Sequence, residues 1–337
     1  MIGKITEIVT RKYMWLTGIM KRTSTSVLKF LRGKNEPVSG AFLSDELSVS
    51  RNAVWKAVVA LREEGFDIEG IRNQGYRLMR ESEKLSVPGI ESHLSDQWQD
   101  LLIEVHDELS STNTLTKERV SDSKHRFLVA ANHQTAGRGR RGRAFYSPEG
   151  VGLYFSLGIP WVYELSPTSV TTLTAVAVSR VLQRMFDVDV KIKWVNDLFL
   201  ENKKICGILT EATSDLETGT VSAVVIGIGI NLKAPKEGYT EAIASIAGAV
   251  SNCEASFDRN LLTGNIVNEI GALLDCLPDR SYMEEYRARS FLLGRPVMLD
   301  SGETIVPIDI SDEGALIYRE GDELIHLSSG EVRVVGF

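Results

Sequence analysis

At 337 residues the chain has length for two or three domains, and its 43% hydrophobic content is that of a globular protein rather than a disordered one. Glu7, Arg11 and Lys12 interrupt the stretch where a secretory signal would be apolar, no apolar run reaches membrane-spanning length, and Cys206, Cys253 and Cys276 lack metal-ligand spacing, so the expectation is a cytoplasmic protein without membrane, disulfide framework or zinc site. Charge is uneven: residues 1–84 hold 15 Lys and Arg against 10 Asp and Glu, whereas the remainder holds 23 against 35, so only the head is suited to a polyanion.

Residues 1–22 read as an extension without assigned role. A helix-turn-helix pattern follows over residues 23–84. Ser24–Leu31 forms a first helix, Ser39 caps a second over Gly40–Leu47, and Ser50 caps a third over Arg51–Glu64. In the third, Ala53, Val54, Ala57, Val58 and Leu61 share one face, and Arg51, Asn52, Trp55 and Lys56 the other. A recognition helix presents its N-terminal polar residues to base edges, which makes Arg51, Asn52 and Lys56 the DNA-binding candidates. Phe66–Gly70 and Gly75–Leu78 read as a hairpin with Arg72-Asn73-Gln74 at its tip, giving a winged helix. A three-helix module for protein contact is the alternative; the basic charge favours DNA.

Glu81–Lys84 is a polar linker, and Leu85–Leu94 opens a new domain with Pro88 near a helix start. A strand at Ile103–His106 leads through Ser111-Thr112-Asn113 into a helix ending near Arg119. Those hydroxyls and that amide suit helix capping and equally suit a polar, uncharged ligand. A strand at Phe127–Ala131 and an alternating run at Val151–Leu157 flank residues 134–147, where Arg138, Arg140, Arg141 and Arg143 interleave with Gly137, Gly139 and Gly142. Glycine lets backbone approach a ligand, and arginine offers a permanently charged fork for phosphate or carboxylate. The stretch reads as a mobile anion-wrapping loop or a solvated basic loop, and its two flanking strands favour the clamp.

Thr172–Phe186 is a buried helix, Val190–Leu200 a strand, and Lys204–Glu211 a returning strand. Asn196, Asp197 and Lys204 are polar residues in apolar strands, and a buried lysine calls for a partner. Lys204 near Asp197 is either a structural or a catalytic ion pair. Val221–Leu232 is a third apolar strand ending Gly227-Ile-Gly-Ile-Asn231, without the glycine turn into a helix of a dinucleotide site. Lys233–Gly238 looks like a mobile loop. Helices are expected at Asn260–Cys276 and Ser281–Phe291, then short strands at Pro296–Leu299, Thr304–Ile310, Ala315–Arg319, Leu324–Leu327 and Val332–Val335, the spacing of a small β-barrel.

Taken together, Ser-Thr-Asn at 111–113, Gln-x-Ala-Gly-Arg-Gly-Arg-Arg-Gly-Arg at 134–143, Lys-Trp-x-Asn-Asp at 193–197, Lys-x-x-Gly-Ile-Leu at 204–209 and Gly-x-Gly-Ile-Asn at 227–231 resemble the bifunctional biotin–protein ligase and biotin operon repressor family. The resemblance runs from about residue 23 onward. It implies an α+β chain: a winged helix-turn-helix (23–84), a central mixed β-sheet with helices of the class II synthetase-like biotin ligase kind (85–290), and an SH3-like β-barrel (291–337). It also implies a two-step ligase. Biotin and ATP give biotinyl-5′-AMP, with Mg²⁺ beside the phosphates, and a lysine of a biotin carboxyl carrier protein then takes the biotinyl group. By the same resemblance Lys204, Arg140 and Asp197 are catalytic, and biotin meets Ser111, Thr112, Asn113, Gln134, Arg138, Gly139, Arg140 and Lys204. Phe145, Asn196 and Asn231 bind ATP. Operator DNA and a ligand-promoted homodimer complete the implied partners. The chain departs from the family at Val195, usually proline, and at Phe145, often tryptophan. A lipoate ligase, which shares the catalytic fold, would show an Arg-Arg-x-Ser-Gly-Gly-Gly stretch and no DNA-binding head; a pure regulator that only senses biotin would not need Lys204 and the four arginines.

Overall fold

The computed structural model describes residues 23–121, 125–161, 166–214, 221–251 and 256–334; the extension over residues 1–22, Cys253 and Val335 lie outside them. The backbone divides into two compact units. One takes the residues up to Ser95 together with Ser256–Gly264, and the other takes Asp96–Ala255 with Asn265–Phe337.

The first unit opens with helix α1 (23–31), followed by α2 (Gly40–Glu46) and α3 (Arg51–Glu63). The Ser39 and Ser50 hydroxyls accept from the Phe42 and Ala53 N–H groups, satisfying donors that the helix itself leaves open. Val27, Leu28, Leu31, Leu43, Val54, Ala57, Val58 and Leu61 pack into one buried core with Phe66 and Ile68, while Arg51, Asn52, Trp55 and Lys56 stay exposed. Strands β1 (Asp67–Ile71) and β2 (Gly75–Arg80) pair antiparallel with residues 72–74 at the tip, and Val38 bridges Tyr76 as a short third strand. The wing is as read from the sequence. The segment Glu81–Lys84 is more than a spacer. Arg32 grips Glu81 at 2.6 and 2.9 Å, Ser82 donates to the Glu64 carbonyl, and the buried Asn260 amide donates to the carbonyls of Ser82 and Lys84. Ser86 then caps α4 (Val87–Glu91), with Pro88 in its first turn.

The second unit is built on a seven-stranded mixed sheet. Its strands are β3 (Leu102–Leu109), β4 (Phe127–Gln134), β5 (Gly152–Pro160), β6 (Lys191–Lys193), β7 (Asp197–Leu200), β8 (Lys203–Ser214) and β9 (Val221–Asn231), ordered β3-β4-β5-β9-β8-β7-β6. Only β3 and β4 are parallel, so their connection must cross over, and α5 (Thr112–Ser121) does so. The register Leu109↔Gln134 ends both strands together. The start of α5 and the arginine loop therefore leave the sheet side by side. Helix α6 (Pro167–Phe186), capped by Ser166, begins five residues before the sequence pattern suggests, because its first turn buries Ser169, Val170 and Thr171 rather than a periodic apolar face. Helices α7 (Glu241–Ala244), α8 (Arg259–Asp275) and α9 (Tyr282–Arg289) follow; α8 falls to the first unit through Gly264 and to the second from Asn265.

The single strand expected over Val190–Leu200 is two strands joined by a turn at 194–196. The buried surroundings explain the break. Asn196 exchanges hydrogen bonds with Ile208, Trp194 Nε1 donates to the Gly314 carbonyl at 2.8 Å, and the Tyr286 hydroxyl donates to the Val195 carbonyl. These contacts draw the chain out of the ladder and fold Asp197 back opposite Lys193. Beyond α9, β10 (Val297–Leu299), β11 (Thr304–Ile305) and β15 (Val332–Val334) form one three-stranded sheet. A second is formed by β12 (Pro307–Ile310), β13 (Leu316–Glu320) and β14 (Glu323–Leu327). Among the described residues no helix is long and apolar enough to cross a membrane.

Candidate active site

Two cavities meet on the face of the second unit where α5 begins and the arginine loop returns. Ser111, Thr112, Asn113, Gln134, Arg138, Gly139, Arg140, Phe145, Asn196, Asp197 and Lys204 all line the tighter one, of about 120 Å³. The wider, of about 340 Å³, takes Asn231. Arg143, Ala144, Phe145, Asp197 and Lys204 border both. A group held in one cavity can thus react with a group held in the other at the Lys204–Asp197 pair, whose Nζ and Oδ1 lie 2.7 Å apart.

Phe145 borders both cavities, and glycines of β8 and β9 explain how it fits. Gly207 of β8 and Gly229 of β9 face each other across the ladder. A Cβ at Gly229 would strike the Phe145 ring, and one at Gly207 would lie 3.1 Å from it. Gly207 and Gly229 together are therefore a flat floor for an aromatic ring, with Tyr154 edge-on to that ring at 6.4 Å.

The arginine loop carries its own ladder contacts, Gln134↔Ser147 and Arg138↔Ala144, around a helical turn at Arg140–Gly142. Its four charges are sorted. Arg141 pairs with Asp300, just after β10, and Arg143 with Glu331, just before β15, while Arg138 lies 3.4 Å from Glu211. Arg140 differs. It donates to Asn196 Oδ1 at 3.1 Å and to the Gly330 carbonyl at 3.2 Å, both neutral, and among the described residues no carboxylate pairs with it. Among the four, Arg140 can meet an anionic ligand without giving up an ion pair.

The uncharged side of the site combines buried Ser111, Thr112 and Asn113 with half-buried Gln134. Gln134 accepts from the Thr112 N–H at 2.8 Å and donates to Ser147 Oγ at 2.9 Å, so it also ties the start of α5 to the end of the arginine loop. Asn231 donates to the Gly248 carbonyl, as does the hydroxyl of Tyr239. Burial, aided by Tyr146, pushes the Tyr239 phenol up to about 12. Burial raises the Glu211 carboxyl, but hydrogen bonds from Lys117 and Asn113 and the charges of Lys117 and Arg138 outweigh it and hold the group below the ordinary carboxylate range. Lys193 is held below the usual lysine value, first by burial and then by Lys204 and Arg143, against the opposing charges of Asp197 and Glu331.

Sequence reasoning missed Lys193 and Tyr239 in the wider cavity and Glu331 in the tighter one. Lys193 lay inside a motif whose Asn and Asp drew the attention. Tyr239 directly follows the loop singled out over 233–238, so an aromatic beside a glycine was the available signal. Nothing local marks Glu331, which reaches the cavity only through tertiary packing. Arg51, Asn52 and Lys56 stand together on the exposed face of α3 in the first unit.

Comparison with known proteins agrees with both units. Residues 105–231 match the biotin/lipoate A/B protein ligase family, and residues 23–77 match an HTH domain. The bifunctional ligase/repressor BirA of Bacillus subtilis is 38% identical over 224 residues, 66% of this chain and 68% of that protein. BirA of Escherichia coli is 30% identical over 305 residues, 87% of this chain and 92% of that protein. The chain belongs to the family of bifunctional ligase/repressors. Among solved structures, a biotin protein ligase from Aquifex aeolicus in complex with biotin and ATP shares the fold with a TM-score of 0.57 at 24% identity, over 69% of this chain and 97% of that one. Within this family the winged helix is the DNA-binding half and the mixed sheet the ligase half, which is the division of labour that the uneven charge suggests.

Proposed function

We propose that this ligase/repressor joins biotin to ATP across the boundary of its two cavities, passes the biotinyl group to a carrier lysine, and represses biotin genes through its winged helix. The observation that carries the reading is the pair of abutting cavities with Lys204, Asp197 and Phe145 on their shared border. In the first step the biotin carboxylate attacks the α-phosphate, a bond to the bridging oxygen breaks, and pyrophosphate leaves. An anion approaches a polyanion, so fixed positive charge must sit where negative charge builds. Lys204 and Arg140 supply it, and Asp197 orients Lys204.

Ser111, Thr112, Asn113 and Gln134 hold the uncharged ring of biotin, while Arg138, Gly139 and Arg140 close over its carboxylate. Phe145 stacks on adenine, with Asn196, Asn231, Tyr239 and Lys193 around the nucleotide. Asp197, a carboxylate on the shared border, would hold Mg²⁺ as an oxygen ligand, and the ion would offset phosphate charge. In the second step the amine of a lysine on a biotin carboxyl carrier protein attacks the acyl carbon and AMP leaves. The mixed anhydride hydrolyses in open water, so the arginine loop and residues 233–238 also serve to cover it.

Arg51, Asn52 and Lys56 contact operator DNA. A winged helix reads half of a two-fold site, so repression calls for a homodimer promoted by biotinyl-AMP. Functional divisions near residues 84 and 290 complete the reading. The test is mass spectrometry of a carrier domain after incubation with the protein, biotin and ATP, paired with sedimentation of the protein alone, with biotin and with a non-hydrolysable adenylate. A lysine adduct and a ligand-dependent dimer are expected. No adduct would leave a pure sensor, and a ligand-independent dimer constant would detach repression from the adenylate.

A further inference from the structure

Glu211 lies behind the wall of the tighter cavity, outside its lining, yet its charge decides which way that wall's hydrogen bonds run. Asn113 is buried at the start of α5. One end of its amide faces Glu211 Oε2 at 3.0 Å and the Leu209 carbonyl at 3.2 Å. An ionised carboxylate and a carbonyl only accept, so the amide nitrogen must point to them. Asn113 Oδ1 then points the other way, 2.6 Å from the Ser156 hydroxyl. Ser156 is fully buried and has one proton, which this contact takes. Its oxygen is left to accept, and Thr112 Oγ lies 2.7 Å from it, so the Thr112 hydroxyl donates to Ser156. The Thr112 hydroxyl also lies 3.2 Å from Gln134 Oε1, which the Thr112 N–H already serves at 2.8 Å; its proton goes to the shorter contact, because the Ser156 and Thr112 oxygens at 2.7 Å would repel with no proton between them.

The direction set at Glu211 thus passes through Asn113 and Ser156 to Thr112. Both Thr112 and Asn113 line the cavity, and each has only lone pairs left to offer a ligand. The carboxylate is itself fixed by Lys117 at 2.7 Å and by Arg138 at 3.4 Å. Gly227 keeps the arrangement tight, since a Cβ there would collide with Asn113 Oδ1.

We propose that Glu211 is a positioning residue that makes this wall an array of acceptors, so that the pocket selects ligands by ring N–H donors. The proposal rests on the biotin reading above: the cyclic urea of biotin carries two such N–H groups. A glutamine at 211 has nearly the same shape but can donate as well as accept, so it no longer dictates the Asn113 amide orientation.

The experiment measures adenylate formation by wild type, Glu211→Gln and Ser156→Ala, with biotin and with a ring N-methylated biotin. For Glu211→Gln, KM for biotin should rise roughly 10- to 100-fold, as for loss of a hydrogen bond to a buried site, with KM for ATP and kcat within a few-fold of wild type. Discrimination against the methylated analogue should shrink toward equality. Ser156→Ala cuts the same chain without changing charge and should lose discrimination too. A Glu211→Gln or Ser156→Ala enzyme that discriminates as wild type does overturns the proposal. If wild type forms adenylate, those results bear on Glu211 alone; if it neither binds biotin nor forms adenylate, the ligase reading fails and takes this proposal with it.

Discussion

Replacing Arg140 by alanine should release the reaction intermediate, and replacing Arg143 should not. Both lie in one loop within three residues, so loop disruption would affect them alike. Their partners differ. Arg143 is spent on Glu331 in a pair whose arginine side chain is 60% exposed, an interaction typically contributing under ~1 kcal/mol, or at most about fivefold. Arg140 rests on the neutral acceptors Asn196 and Gly330, so its removal leaves no buried charge behind. What is lost is a charge-assisted donor to the adenylate, about 1.5–3 kcal/mol, or roughly 10- to 150-fold in retention. The assay is the half-life of bound biotinyl-AMP after rapid dilution, with ATP affinity measured in parallel. Arg140→Ala should shorten the half-life by that factor and move ATP affinity less. An unchanged half-life, or an equal loss in Arg143→Ala, would refute the clamp assignment.

Arg51→Ala and Lys56→Ala should each weaken operator binding and, where a phosphate contact is lost, lower the salt slope by about one, with ligase turnover unchanged; fluorescence anisotropy at several salt concentrations checks this. Burial, then the charge of Arg32, depresses His93 to about 4, with Lys29 adding to the fall and Glu81 opposing it. Since the unfolded chain binds that proton more readily, stability contributed by neutral His93 is present above its ordinary value of 6.5 and is lost as pH falls toward 4, by at most about 3 kcal/mol. Asp258, held above its usual value chiefly by burial, opposes the loss at the acid end, and denaturant melts of His93→Asn should show a flatter profile in that window. ATP phosphates beside Lys193 should restore its depressed affinity for protons, so calorimetry at alkaline pH in buffers of different ionisation enthalpy should detect proton uptake that Lys193→Met abolishes.

Legibility in the sequence followed the range of the interaction. Ser39 and Ser50 announced α2 and α3 because capping is a contact three residues long. Most polar residues of the tighter cavity were legible because they sit in short polar motifs between or within apolar strands, while Glu331 was not. The break at 194–196 was hidden because it is enforced by Ile208, Gly314 and Tyr286, none of them sequence neighbours. Glu211 was passed over as the polar end of a strand, since its meaning depends on Asn113 and Lys117, both about a hundred residues earlier. The pairing of loop arginines with Asp300 and Glu331 was equally out of reach.

That pairing changes what the loop can contribute to association. Four arginines in six residues suggest a segment held apart by its own charge, which a ligand would order by neutralising it. Here the chain neutralises three of the four itself, with Glu211, Asp300 and Glu331. Repulsion is therefore not a store of free energy that an adenylate could release. A ligand acts through Arg140 and through whatever it adds at Arg138, one or two charge-assisted bonds, which falls in the ~1–3 kcal/mol range usual for coupling between sites. Two of the three carboxylates come from the segments that flank the C-terminal strands β10 and β15, as does the Gly330 carbonyl that holds Arg140. Those segments thus hold the loop, and a ligand-promoted dimer that used the loop would depend on them as much as on the sheet.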